Sequence, residues 1–257
     1  MRWARVALPD GSLSYAEVEA EVAHLLGGAP WLGARRTGVA HPLAALRLVC
    51  PVEPTKVLCV GRNYQAHAKE LGHDVPKEPL FFLKPPSSLL DPGGTIELPP
   101  ESARVDHEAE VGVVIGKRAR HVSEASALEH VLGYTAVGDI TARDLQTKDG
   151  QWTRAKGFDT FCPVGPYVVP ASALDPCALD VSCRVNGEQR QSGNTRDMIF
   201  PIARLVAAAS RIMTLEPGDL LVTGTPEGVG PLAAGDRLAI EVSGVGVLEL
   251  TVAAARS

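Results

Sequence analysis

The chain has 257 residues, 45% of them hydrophobic and 21% charged, with a formal net charge of −5 and a pI near 5.8. That length suits one large domain, or one domain with a small appendage, able to fold on its own core without disulfides or a structural metal. Scattered basic residues in an acidic chain exclude the basic stripe of a nucleic-acid-binding protein and a polybasic membrane anchor.

The N-terminal MRWARVALPDGS carries an early Arg pair but no apolar core segment, so no signal peptide is expected. No apolar run approaches the 18 or so residues of a spanning helix, which points to a cytoplasmic protein. Ser14 and Glu17 form a capping-box pattern ahead of Val18, Val22, Leu25 and Leu26, predicting a helix that stops at Gly27-Gly28. The stretch Cys50-Pro51-Val52-Glu53-Pro54 interrupts the pattern. It divides the chain into a small appendage, residues 1–54, and a main domain, residues 55–257.

Beyond that break, strands are predicted at Lys56–Val60, Leu80–Leu83, Ala109–Ile115, Tyr134–Val137, Tyr167–Val169, Val181–Val185 and Leu220–Thr223. A closing pair, Arg237–Val242 and Gly246–Val252, flanks the hairpin turn Ser243-Gly244-Val245. Two further helices are predicted: one after Ser123 (EASALEHVL) and one from about Phe200 to Met213, striped by Ile202, Leu205, Val206, Ala209 and Ile212. The 25 Gly and 20 Pro punctuate short apolar runs throughout, and there is no regular βαβ alternation. A sheet-dominated α+β fold follows. The five cysteines, Cys50, Cys59, Cys162, Cys177 and Cys183, are odd in number and lack a C-x-x-C pair, so they read as buried thiols.

The segment DHEAEVGVVIG, residues 106–116, carries the most chemistry. On a strand, Glu108 and Glu110 project from the same face. Two readings stand: a strand end with solvated glutamates, or a carboxylate pair whose repulsion a cation relieves. Asp139 follows another apolar run, and three carboxylates without a His/Cys set describe a hard-cation site for Mg²⁺, Mn²⁺ or Ca²⁺. Spacing alone does not bring Asp139 beside Glu108.

Seven segments, in order, resemble the fumarylacetoacetate hydrolase superfamily, particularly its small acylpyruvate hydrolase and oxaloacetate decarboxylase members. They are VGRNYQAHAKEL (60–71), FFLKPPSSL (81–89), DHEAEVGVVIG (106–116), GDITARDLQ (138–146), WTRAKGFDTFCPVGP (152–166), RVNGEQRQSGNTRDMIF (184–200) and LVTGTPEGVGPL (221–232). The resemblance covers roughly residues 55 to 257; the first 50 residues match nothing distinctive. It implies a roll of mixed β-sheets with a few short helices, a homodimer, and Mg²⁺ or Mn²⁺ held by Glu108, Glu110 and Asp139.

It also implies roles for other positions. His67 and Glu70, three apart, would share one face of a helix, where a carboxylate orients an imidazole; the alternative is an ordinary surface turn. In the enzymes resembled, the matching pair activates water. His107 would then lie behind the metal ligands, and Arg62 and Tyr64 have structural roles open to them as well as binding ones. Lys156 would stabilise developing enolate charge, and Arg143, Gln146 and Thr225 would face a small anionic keto acid. The Thr223–Gly228 turn could offer backbone N–H groups to an anion, though no Walker sequence follows it.

This reading favours hydrolysis of a C–C bond in a 2,4-dioxo acid: water activated by His67 attacks the distal carbonyl, and pyruvate leaves as its enolate. The same constellation accommodates decarboxylation of oxaloacetate or isomerisation of an unsaturated 2-oxo diacid. A non-catalytic module that binds metal or keto acid is the reading from another class.

Overall fold

A computed structural model describes residues 1–70, 72 and 74–255; Leu71, the last residue of the first shared segment, lies outside them. The strand Ala109–Ile115 runs through the centre with every residue buried. It pairs antiparallel with Val131–Gly138 on one side and Leu220–Val222 on the other. Leu220–Val222 pairs in parallel with Val57–Gly61, which pairs with the edge strand Leu80–Lys84. Beyond Val131–Gly138 lies Cys162–Pro170, also wholly buried. These strands belong to a sheet of twelve among the described residues.

A five-stranded sheet, including Asp180–Val185, Arg237–Val242 and Gly246–Ala254, packs across the large one. Their facing side chains form one core: Val111, Val113 and Ile115 against Val181, Cys183, Ile240 and Leu248. A three-stranded sheet, Val105–His107 between Thr141–Ala142 and Gly230–Pro231, closes one end. The fold is thus the sheet-dominated roll that the sequence implies. Among the described residues no helix is long and apolar enough to cross a membrane.

Each predicted strand beyond residue 55 is present, with ends shifted by up to five residues. The closing hairpin pairs Val242 with Gly246 around the predicted turn. Helix Ile202–Ile212 also forms, burying Leu205, Val206 and Ala209, but Ile212 is 64% exposed rather than part of the stripe. Ser123 caps a helix whose turns are of the tighter 3₁₀ kind, Glu124–His130, and accepts from the Ser126 amide. Four of the five cysteines are buried; Cys177 is exposed, and all five are free.

The helix expected after Ser14 is not there. Leu13–Glu19 and Val22–Leu26 are paired strands, reversed at Ala20 and Glu21 with φ of 45° and 64°. Ala16 and Val18 bury on the first strand, and Ala23 and Leu25, with Leu26 after them, on the second; the i, i+4 spacing of Val18 and Val22 conceals this two-residue period. Arg2–Ala7 pairs with Leu13–Glu19 and, through Trp3 and Val168, with Cys162–Pro170. Residues 1–49 therefore extend the large sheet, over a cluster of Ala4, Val6, Val18, Leu43 and Tyr167.

Candidate metal centre and acid–base pair

Strand register assembles the carboxylates. Ala109 pairs with Gly138, so Glu108 and Asp139 are the next residues out along neighbouring strands, and the Asp139 amide donates to Glu108 O at 2.9 Å. Glu110 comes from two residues further along the same strand face. One oxygen from each of Glu108, Glu110 and Asp139 lies within 4.8 Å of the others, and all three residues are buried.

Like charges this close inside a protein are costly. At an effective dielectric near 20, two carboxylates separated by the 4.8 Å limit repel by about 3 kcal/mol. The structure compensates two of the three. Lys156 Nζ donates to Glu108 Oε2 at 2.8 Å and to Asp139 Oδ2 at 2.6 Å. Arg143 Nη2 donates to Glu108 Oε1 at 2.6 Å, and Lys84 Nζ donates to Asp139 Oδ1 at 2.6 Å and to Ile140 O at 3.2 Å. Burial would raise Glu108, but Lys156 and Arg143 outweigh it and hold the carboxyl well below its usual range. Among the described residues, Glu110 receives only the Gly224 amide. Burial, then the charges of Asp139 and Glu108, push its carboxyl well above the usual range. The donor set is all oxygen, buried and one counter-charge short, which fits a hard divalent cation.

The expected acid–base pair, His67 and Glu70, lies on a short helix, Gln65–Glu70, following the strand Val57–Gly61. His67 is 4% exposed, and its Nδ1 lies 3.3 Å from Glu70 Oε2. Glu70 also accepts the Gly228 amide, at 3.0 and 3.2 Å. Gly228 has φ of +91°, and a Cβ there would meet the Arg190 carbonyl oxygen at 2.1 Å. His67 lines the same cleft of about 290 Å³ as the three carboxylates, Arg143, Gln146, Lys156 and Thr225. All nine expected site residues except Glu70 line this cleft directly.

Some of their groups are committed elsewhere. Arg143 donates through Nε to Asp106 at 2.9 Å and through Nη1 to Gln146 at 2.7 Å, besides its bond to Glu108. The Thr225 hydroxyl donates to Ala109 O at 2.9 Å and accepts from Gln191 Nε2 at 2.7 Å, so its proton points at backbone. Gly224 and Gly228 spend their amides on Glu110 and Glu70; the anions this turn holds are the protein's own. His107 is 1% exposed and lies beside the carboxylate cluster in sequence, with Nδ1 3.1 Å from Gln191 Oε1; burial lowers its pKa.

Three residues went unassigned in the sequence. Lys84 is a lone lysine in the apolar run FFLKPP, and a lysine on a strand that otherwise reads as core is itself a signal of a buried partner. Gln191 is 1% exposed and uses both ends of its amide, on His107, Ala109, Thr225 and Pro226. Trp152 walls the cleft, edge-on to Phe82 with ring centroids 5.1 Å apart. No pattern in the sequence marks either of the last two.

Comparisons with known proteins show the family. Residues 56–253 match the family described as fumarylacetoacetate (FAA) hydrolase, C-terminal, and residues 1–51 match one described as Rv2993c-like, N-terminal. The chain belongs to the fumarylacetoacetate hydrolase family and is an enzyme of it. It is 48% identical over 202 residues to a protein named mitochondrial oxaloacetate tautomerase from Arabidopsis thaliana, covering 77% of this chain and 91% of the relative. To the mitochondrial oxaloacetate decarboxylase of Dictyostelium discoideum it is 47% identical, over 74% of this chain and 89% of that one. The crystal structure of a 5-carboxymethyl-2-hydroxymuconate delta-isomerase from Mycobacterium smegmatis superposes with a TM-score of 0.93 at 42% identity, covering 99% of this chain and all of that one.

Proposed function

We propose that the protein is a divalent-metal-dependent enzyme that moves a proton at the carbon next to the 2-oxo group of a small 2-oxo diacid, interconverting keto and enol forms of an oxaloacetate-type substrate. The observation that carries this is one cleft shared by three buried carboxylates, a lysine and a His–Glu pair. The names of the relatives support keto–enol and decarboxylation chemistry above the C–C hydrolysis that the sequence first suggested.

Mg²⁺ or Mn²⁺ held by Glu108, Glu110 and Asp139 would supply Lewis-acid polarisation of the substrate's 2-oxo group. The protein's own groups do the rest. Glu70 takes the Nδ1 side of His67, which fixes the ring and leaves Nε2 to receive or return the proton. Lys156, buried and held protonated by Asp139 and Glu108, places positive charge where the enolate oxygen develops. Arg143 and Lys84 hold Glu108 and Asp139 in place from behind.

Hydrolysis of an acylpyruvate is the second reading, and the His67–Glu70 pair favours it, since the same Nε2 can take a proton from water. The test follows the enol absorbance of oxaloacetate with Mg²⁺ and, in parallel, with EDTA, while pyruvate is assayed separately. Mg²⁺-dependent enol loss without pyruvate is the expected result; pyruvate in step with the loss makes the enzyme a decarboxylase. No effect on oxaloacetate, with acetylpyruvate cleaved to pyruvate and acetate, makes it a hydrolase. Glu70→Ala is expected to lower kcat by about 10²–10⁴-fold while Mg²⁺ binding by calorimetry survives.

A further inference from the structure

Arg62 stands at the end of the strand Val57–Gly61 with φ of +58°, a left-handed conformation that costs a residue with a side chain about 1 kcal/mol or more. Its neighbours enforce it. Asn63 is fully buried and clamped to backbone, donating to Phe200 O at 3.1 Å and Thr223 O at 2.8 Å and accepting the Phe200 amide at 2.8 Å. On the other side, Gly61 lets Trp152 close in: a Cβ there would meet its ring at 2.6 Å. The chain thus holds an arginine, half-buried, against the wall of the cleft with its guanidinium 5.9 Å from the Trp152 ring.

Arg62 differs from the other cations of this cleft. Lys156 and Arg143 are bound to protein carboxylates, and Lys84 is sealed behind Asp139. Among the described residues, no carboxylate pairs with Arg62.

Its N–H groups are therefore open to an anionic group of a ligand in the cleft.

Resting on the keto–enol reading above, we propose that Arg62 recognises the distal carboxylate of a 2-oxo diacid and so sets the preference for diacids over monoacids of the same length. A guanidinium held beside an aromatic wall suits this, because it can reach a carboxylate with paired N–H groups.

Calorimetry on the Mg²⁺-loaded enzyme tests it with two ligands that do not react, L-malate and L-2-hydroxybutanoate, the second carrying a methyl group in place of the distal carboxylate. The wild type should prefer malate. Arg62→Gln should weaken malate by about 10–100-fold while shifting hydroxybutanoate by no more than about twofold. Arg62→Lys, which keeps the charge and an aliphatic stem over Trp152, should retain part of the preference. Equal weakening of both ligands in either variant would make Arg62 a prop for Trp152 and overturn the proposal. So would a malate preference that survives Arg62→Gln, or a wild type that shows none.

Turnover of oxaloacetate is measured separately. An enzyme that turns it over yet keeps its malate preference in Arg62→Gln loses only this inference; one that loses the preference but turns over no oxaloacetate loses only the catalytic reading.

Discussion

The two halves of the carboxylate cluster are built differently. Glu108 and Asp139 each hold two charged or polar donors at hydrogen-bond distance, all from buried or mostly buried side chains. Glu110, only a few ångströms away, has the backbone amide of Gly224 and, among the described residues, no cation of its own. The first half is an ion-pair network already satisfied by the fold. The second is a vacancy in charge, and there a bound divalent ion changes most.

The largest effect is expected where the satisfied half is broken. Lys84→Met leaves the buried Asp139 with Lys156 as its one remaining cation among the described residues, and removing one member of a buried pair costs about 3–5 kcal/mol. Urea unfolding of the metal-free protein should show that loss. If Lys84→Met is neutral, the two halves are not distinct.

Glu110→Gln should act with the opposite sign. Removing the uncompensated carboxyl relieves repulsion, so the metal-free variant should melt a few degrees higher at neutral pH, about 2–4 °C for each kcal/mol in a protein of this size. Added Mg²⁺, which should stabilise the wild type, should no longer raise its melting temperature.

The pH dependence sharpens the same contrast. A carboxyl raised in the folded state binds more protons there than when unfolded, so its contribution to stability falls as pH climbs from the ordinary carboxylate range, near 4.5, through the raised value. Glu108, held low, works the other way: its contribution is complete above the ordinary range and is lost as pH falls through its depressed value. Between about pH 5 and 8 the stability difference between wild type and Glu110→Gln should therefore widen with pH in the metal-free protein, and Mg²⁺ binding should release a proton, measured by calorimetry in two buffers of different ionisation enthalpy. The smallest effect is expected from Arg104→Ala. Arg104 also pairs with Asp106, but its side chain is 54% exposed, and Asp106 keeps Arg143; a loss under about 1 kcal/mol is expected.

What the sequence disclosed follows from how local each feature is. Glu108 and Glu110 on one strand face follow from a two-residue period within ten residues of chain, and the hairpin at Ser243–Val245 from its turn chemistry. Asp139 reaches them only through the register of Ala109 on Gly138, and register is a long-range fact; the resemblance supplied it, not the spacing. The helix misread between Ser14 and Leu26 is the converse case, where a local capping pattern competes with pairing to Arg2–Ala7 and loses. Lys84 and Gln191 carry no local signal because each stands alone in sequence and has its side-chain partners 34 or more positions away, at Asp139 in one case and at His107, Ala109, Thr225 and Pro226 in the other.

The contact between Glu70 and the Gly228 amide also bears on how the enzyme can vary. Position 228 admits no side chain, because any Cβ would lie 2.1 Å from the Arg190 carbonyl oxygen. Shifting that loop would pull the amide from Glu70, and with it the orientation of His67. An enzyme can thus be silenced by adding one methyl group at a residue that carries no charge, titrates nothing and has no side-chain atom to offer any ligand. Along this stretch of chain, the tolerance for mutation is set by room rather than by chemistry.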